Sequence, residues 1–239
     1  MTTKTPQQPK HKKKPHQTQS YSDVFDTSKD KNTVTPAVYP KPSLGTLLFS
    51  VLGTILLIQV SLIGSPLPLI FPSETSVMFY SAQVPVVILL GALLGPTWGA
   101  LSVILYLIVG LFFLPVFSSG GGLGYIEEPS IFYLIGLIGG AIMSGKAFKR
   151  AFLSNSVYKQ HFYHVYAVII SVLTIHCVGL IGLLSTMIIG RSWESFTHWV
   201  HQLSVAPLPY DLTVALTLST GLIWLRGLLW LQRVELKVV

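Results

Sequence analysis

The residues in this chain whose types and spacing bear on chemistry fall into a few small groups. Two histidine pairs, His161 with His164 and His198 with His201, share an i,i+3 spacing that sets two imidazoles on one helix face. That is the start of a metal site, and hence of a membrane-embedded, His-dependent metal enzyme. Neither pair has an HExxH-type glutamate or a cysteine beside it, and both fall in segments that read as interfacial, so the competing reading is structural. His198 and Trp199 with Trp193 fit an outer interfacial belt, and His176, inside an apolar run, reads as structural. The single cysteine, Cys177, excludes an intramolecular disulfide, and its apolar flanks place it as a packed helix residue. Asp211 follows Pro207 and Pro209, a position from which its side chain can cap a helix for about 1 kcal/mol. A carboxylate near membrane depth, costing ~3 kcal/mol to insert at the centre, is equally a functional candidate. Gln83, in an apolar run, is either a ligand contact or a helix-to-helix hydrogen bond. No catalytic residue, metal or cofactor is expected from these groups.

The stretch FLPVFSSGGGLGYIEEPS, residues 113–130, is a different kind of candidate. Gly120, Gly121 and Gly122, with Gly124, permit backbone angles closed to other residues and let main chain approach a ligand closely. Irregular backbone of this kind is tolerated at membrane depth only where it is buried in protein or lines a cavity. Tyr125 and Tyr133 supply apolar faces with one hydroxyl each, as small-molecule sites need. A flexible connector is the alternative.

The elements that must position these residues follow from composition. Of 239 residues, 51% are hydrophobic and 10% charged, and the mean hydropathy is +0.62, outside the range of a soluble domain of this size. An all-α integral membrane protein follows, with six transmembrane helices placed at about 44–64, 77–94, 99–115, 130–145, 163–189 and 207–230. Counting cations on this frame with the N-terminus inside puts every one of the 16 Lys and Arg except Arg191 on the inner side, so both termini are expected to be cytoplasmic. Residues 1–43 are polar and lack apolar periodicity, and they read as a disordered basic cytoplasmic tail ahead of a six-helix membrane domain at 44–239. Its Lys10-His11-Lys12-Lys13-Lys14 run is either a lipid-headgroup contact or a solvated topology determinant. No cleavable secretory signal is read in it, because the first apolar run begins near residue 44. Ser50 and Thr54, the series Gly91, Gly95, Gly99, and Gly136 with Gly140 are small residues at spacing four, the mark of close helix packing. Pro96 after Gly95 predicts a short hairpin there rather than one continuous helix.

These residues also resemble a known family. VILLGALLGPTWGALSVILYLIVGLFFLPVFSSGGGLGYIEEPSIFYLIGLIGG is similar to the BioY family, the biotin-binding subunits of energy-coupling-factor transporters. The similarity is carried by Gly95, Pro96 and Gly99, Tyr106 and Gly110, Pro115-Val116-Phe117, the three glycines, Tyr125 and Glu128-Pro129. It runs over about residues 44–233. The resemblance implies a six-helix protein that binds biotin from outside in a loop-closed pocket, with Gly120, Gly121, Gly122, Tyr125, Tyr133, Asp211 and Gln83 as ligand-binding residues. It implies a cytoplasmic-membrane location in contact with membrane lipid, a transmembrane coupling protein and two ATPase subunits as partners, and no nucleic acid. The chain has no GxxxxGK[ST] phosphate loop, so ATP hydrolysis falls to those partners. The family pattern also implies a lysine three residues after Asp211, where this chain has Val214, and that departure leaves another small vitamin or a biotin precursor as the alternative ligand.

Overall fold

A computed structural model describes residues 39, 41–63, 65–67, 78–117, 120–154, 156–188 and 193–235. Most of the expected 1–43 tail, with its lysine run, and Arg191 lie outside the described residues. Helix α1, Leu44–Leu62, starts where a capping box allows it: the Ser43 hydroxyl accepts from the Thr46 amide at 3.2 Å, and the Thr46 hydroxyl accepts from the Ser43 amide at 2.9 Å. Two short strands, β1 (Ser65–Leu67) and β2 (Met78–Tyr80), pair antiparallel, so the chain has a small ribbon that the all-α expectation omits. Within the span expected over 77–94, residues 78–80 therefore form a strand. Helix α2 starts only at Gln83 and runs to Phe112, with Pro85 in its first turn, where a missing N–H does no harm.

Helix α2 is broken at Gly95, whose φ of 87° and ψ of 176° suit glycine alone, with Pro96 next. In a straight helix Gly91 and Gly99 would stand about 12 Å apart. Here a Cβ built on Gly99 would fall 2.9 Å from the Gly91 Cα, so the chain folds back as a hairpin with limbs 83–94 and 96–112, as the Gly-Pro pair predicts. Ser50 donates to the Trp98 carbonyl at 3.1 Å and Thr54 to the Ser102 carbonyl at 3.0 Å, which lays the small-residue face of α1 along the second limb.

Beyond a single turn at Leu123–Glu127 come α3 (Ile131–Leu153), α4 (Val157–Ile188), α5 (Trp193–Val200), a π-helical turn at His201–Val205 and α6 (Leu208–Glu235). Helices α3 and α4 extend past their expected spans at the basic end, and His161 and His164 both lie on α4. Gly136 and Gly140 meet Ile175 of α4 without room for a side chain, which gives α3 and α4 the close contact expected. Among the described residues, five helical stretches are long and apolar enough to cross a membrane, and the chain is a multi-pass membrane protein. One core joins α1, both limbs of α2 and α3 around Leu57, Val87, Val103, Tyr106 and Leu137, and a second joins α2, α3, α4 and α6 around Ile88, Phe148, Val168 and Ala215. Cys177 is on α4 as expected but exposed, because apolar flanks in a membrane helix do not separate a packed face from a lipid-facing one.

The two ends of the bundle differ. Tyr39 donates to the Gly145 carbonyl and covers Gly95, and the Arg226 guanidinium lies 4.2 Å over the Phe152 ring. These contacts, beside Lys146, Lys149 and Arg150 of α3, make one end basic. Ser61, Tyr80, Gln83, Tyr106, Tyr133, His176 and Asp211 meet at the other end.

Candidate functional site

Opposite the basic end, a cavity of about 170 Å³ opens between the β2–α2 junction, α3, α4, the π turn and the start of α6. Its polar wall is made by Tyr80, Gln83, Tyr133, His176, Gln202 and Asp211, and its apolar wall by Val84, Leu134, Leu137, Ile175, Leu203 and Pro207. Mostly apolar lining with a few convergent polar groups is the composition of a small-molecule site, and the volume lies below the ~300–1,000 Å³ usual for such sites. A wider depression formed by Ser195, Thr197, His198, Trp199 and His201 lies on α5 and the adjoining turn alone, and one element cannot enclose a ligand.

The polar wall is one connected network. The Tyr80 hydroxyl donates to Asp211 Oδ1 at 2.8 Å, and its ring lies 5.6 Å from that of Tyr210. His176 Nε2 stands 3.4 Å from Asp211 Oδ2, beyond the 2.7–3.2 Å of an N–H···O bond, and has no hydrogen-bond partner although it is buried. The other ring nitrogen, Nδ1, is 3.1 Å from Ser204 Oγ, which is 2.7 Å from the Tyr133 hydroxyl. Asp211 is only 2% exposed, and it lies in the first turn of α6 with its own amide bonded to the Pro207 carbonyl at 2.9 Å. It is therefore not the cap of that helix, as the sequence had allowed: α6 starts three residues earlier, at Leu208. Outside the spanning segments, burial and the neighbouring Asp211 carboxyl push the Tyr80 phenol well above its ordinary range, so it stays protonated as a donor.

Gln83, Tyr133 and Asp211 are thus brought together, while Gly120, Gly121, Gly122 and Tyr125 stand outside the cavity lining. The glycine loop is clamped onto the second limb of α2. Phe117 and Gly120 exchange backbone hydrogen bonds, Gly122 donates to the Gly110 carbonyl at 2.9 Å, and a Cβ on Gly121 would fall 2.6 Å from Pro115 Cα. Gly120 and Gly122 have positive φ, 119° and 85°, which the sequence anticipated. Tyr125 is buried against Phe117, ring centroids 4.6 Å apart, and Phe117 packs on Tyr106. Tyr106 closes the path back to the cavity: the Gln83 side-chain amide donates to Ser61 at 2.6 Å and to Tyr106 at 3.1 Å, and Ser61 donates to the Val116 carbonyl at 2.5 Å. The loop meets the cavity through its wall.

Tyr80 and His176 line the cavity, with Ser204 bonded to His176, and none of the three is among the ligand-binding residues expected from the sequence. His176 carries a polar side chain inside an apolar run and is spaced from no partner in sequence, so only folding brings it to Asp211. The two histidine pairs do not converge: His164 bonds Ser219 at 2.6 Å, His198 stacks edge-on to Trp199, and no three His, Cys, Asp or Glu gather as a metal site among the described residues.

Comparison with known proteins gives three findings. The model of the BioY family matches residues 31–233. A probable biotin transporter BioY of Lysinibacillus sphaericus is 37% identical over 101 residues, 42% of this chain and 49% of that protein. An uncharacterized 21.2 kDa protein of Cyanophora paradoxa, from the psbX-ycf33 intergenic region, is 31% identical over 139 residues, 57% of this chain and 68% of that one. The match thus spans about half the length of the first relative and two thirds of the second. A crystal structure of the S-component for biotin from an ECF-type ABC transporter shares the fold, with a TM-score of 0.57 and 23% identity over 77% of this chain and 91% of that one.

Proposed function

This chain belongs to the BioY family, and from that premise we propose that it captures biotin from outside the cell as the substrate-binding membrane subunit of an energy-coupling-factor transporter. The observation that carries the reading is a cavity at the end of the bundle away from the basic end, floored by a buried carboxyl group, Asp211. A small vitamin with a polar ring and an apolar body suits such a wall. The same chain crosses the cell membrane six times, with both termini and the tail of residues 1–43 in the cytoplasm. The reversal at Gly95 and the gathering of cations at one end support that topology. Gln83, Tyr133 and Asp211 contact the ligand, and Gly120, Gly121, Gly122 and Tyr125 hold the outer loop that braces the wall of its cavity. The chain binds rather than catalyses, and a transmembrane coupling protein with two ATPase subunits drives release.

Purified protein in lipid nanodiscs is expected to bind labelled biotin saturably, and Asp211→Ala to bind it at least about tenfold more weakly, since a hydrogen bond from a carboxyl group is worth ~1.5–3 kcal/mol. An unaffected Asp211→Ala, or no saturable binding by the parent, sinks this reading. A second reading, another small vitamin or a biotin precursor, is favoured by Val214, which puts an apolar side chain one turn beyond Asp211. Displacement of biotin by a vitamin panel separates the two: a competitor effective below the biotin concentration would establish the second.

A further inference from the structure

Among the described residues, His176 Nε2 is a buried side-chain polar atom of the cavity wall without a hydrogen-bond partner. The residue is 4% exposed and lies beside Asp211 Oδ2 on the cavity. A buried polar atom without a partner costs about 1–3 kcal/mol, so a fold that keeps one has a use for it. We propose, resting on the function proposed above, that His176 is a specificity-determining residue: its Nε2–H and Asp211 Oδ2 together read a ligand group that carries C=O and N–H side by side, as a cyclic urea or lactam does.

The neighbours fix the parts. Tyr80 occupies Asp211 Oδ1, which leaves Oδ2 as the acceptor on the cavity side. Tyr133 and Ser204 occupy Nδ1, and the Asp211 carboxylate oxygen 3.4 Å from Nε2 favours the tautomer with the ring proton there, which Ser204 donating to Nδ1 and Tyr133 donating to Ser204 would match. The wall then offers one donor and one acceptor 3.4 Å apart. A ligand carbonyl accepts from Nε2–H while the adjoining N–H donates to Oδ2, so both open positions are filled at once. A ligand carboxylate does not fit there, because it would lie against the Asp211 carboxyl group, and two carboxylates sharing a site repel. The acid end of a biotin-like molecule therefore points away from α6. The Val214 position is apolar in this chain, and His176 on α4 supplies the donor beside Asp211.

Full-length protein in nanodiscs is titrated with biotin and with 2-thiobiotin, in which the ring C=O is replaced by C=S, a neutral and weaker hydrogen-bond acceptor. The parent is expected to prefer biotin by at least about tenfold, because the analogue meets Nε2–H with the weaker acceptor. His176→Leu is expected to weaken biotin at least about tenfold and to bring the two ligands within about threefold, whereas His176→Gln, which keeps a donor, retains most of the preference. A structural role would lower both ligands equally and leave the ratio alone. Equal binding of the two ligands by the parent, or an unchanged ratio in a folded His176→Leu, overturns the inference while the capture function stands. Absence of saturable biotin binding by the parent removes the function itself.

Discussion

Tyr80→Phe tests whether the fold holds Asp211 ready for a ligand. The substitution removes one hydroxyl, which donates to Asp211 Oδ1 at 2.8 Å, and leaves the ring against Tyr210 at 5.6 Å, so packing is kept. A hydrogen bond to a carboxyl group in a buried site is worth ~1.5–3 kcal/mol. Without it, Oδ1 is an unmet acceptor in a group only 2% exposed, and the nearest donor is His176, already 3.4 Å from the other carboxyl oxygen. Rotation toward His176 would close that gap and consume the positions a ligand needs. At tenfold per 1.4 kcal/mol, biotin affinity should fall roughly 10- to 100-fold. The measurement is equilibrium binding of labelled biotin in nanodiscs, with the thermal unfolding midpoint of the same samples. Ser219→Ala serves as the matched control, since it removes a buried bond to His164 away from the cavity. That variant should lose stability and keep its affinity. Tyr80→Phe binding within about twofold of the parent would refute preorganisation of Asp211 by the β2 strand.

Three further outcomes follow from packing and charge. Gly99→Val should destabilise the bundle by about 1–3 kcal/mol, because a Cβ there meets Gly91 backbone at 2.9 Å and main chain cannot step aside; a detergent thermal melt checks it. Thr54→Val keeps the shape of the α1 contact and loses the bonds to the Ser50 and Ser102 carbonyls, a loss of about 1 kcal/mol by the same melt. Stability should also fall as pH rises above ~10, where tyrosines of the unfolded chain ionise while the raised Tyr80 phenol keeps its proton in the folded state, which then binds more protons. Tyr80→Phe should flatten that alkaline decline, and an unchanged slope would separate the decline from Tyr80.

Much of the architecture is legible in the chain because its causes are local. Apolar runs near 20 residues mark the helices, and Gly95 before Pro96 marks the reversal, since one needs a backbone angle closed to side chains and the other breaks the hydrogen-bond ladder. Gly120 and Gly122 likewise signal their positive φ in advance. The ribbon of β1 and β2 was missed because residues 77–80 are apolar enough to pass for helix, and length alone did not separate the two.

Sequence by itself determined the membrane class, the glycine-marked turns, the family resemblance and the candidacy of Asp211, all properties of short stretches and of composition. Tertiary structure decided which of the candidates share a wall. Tyr80, His176 and Asp211 are far apart along the chain and belong to β2, α4 and α6, and a buried polar group in one helix carries no record of its partner in another. The same packing set the glycine loop outside the cavity lining and joined it to the cavity wall through Phe117, Tyr106 and Gln83. Periodicity gives the direction a side chain takes from its own helix. What it meets there depends on how the helices are laid together.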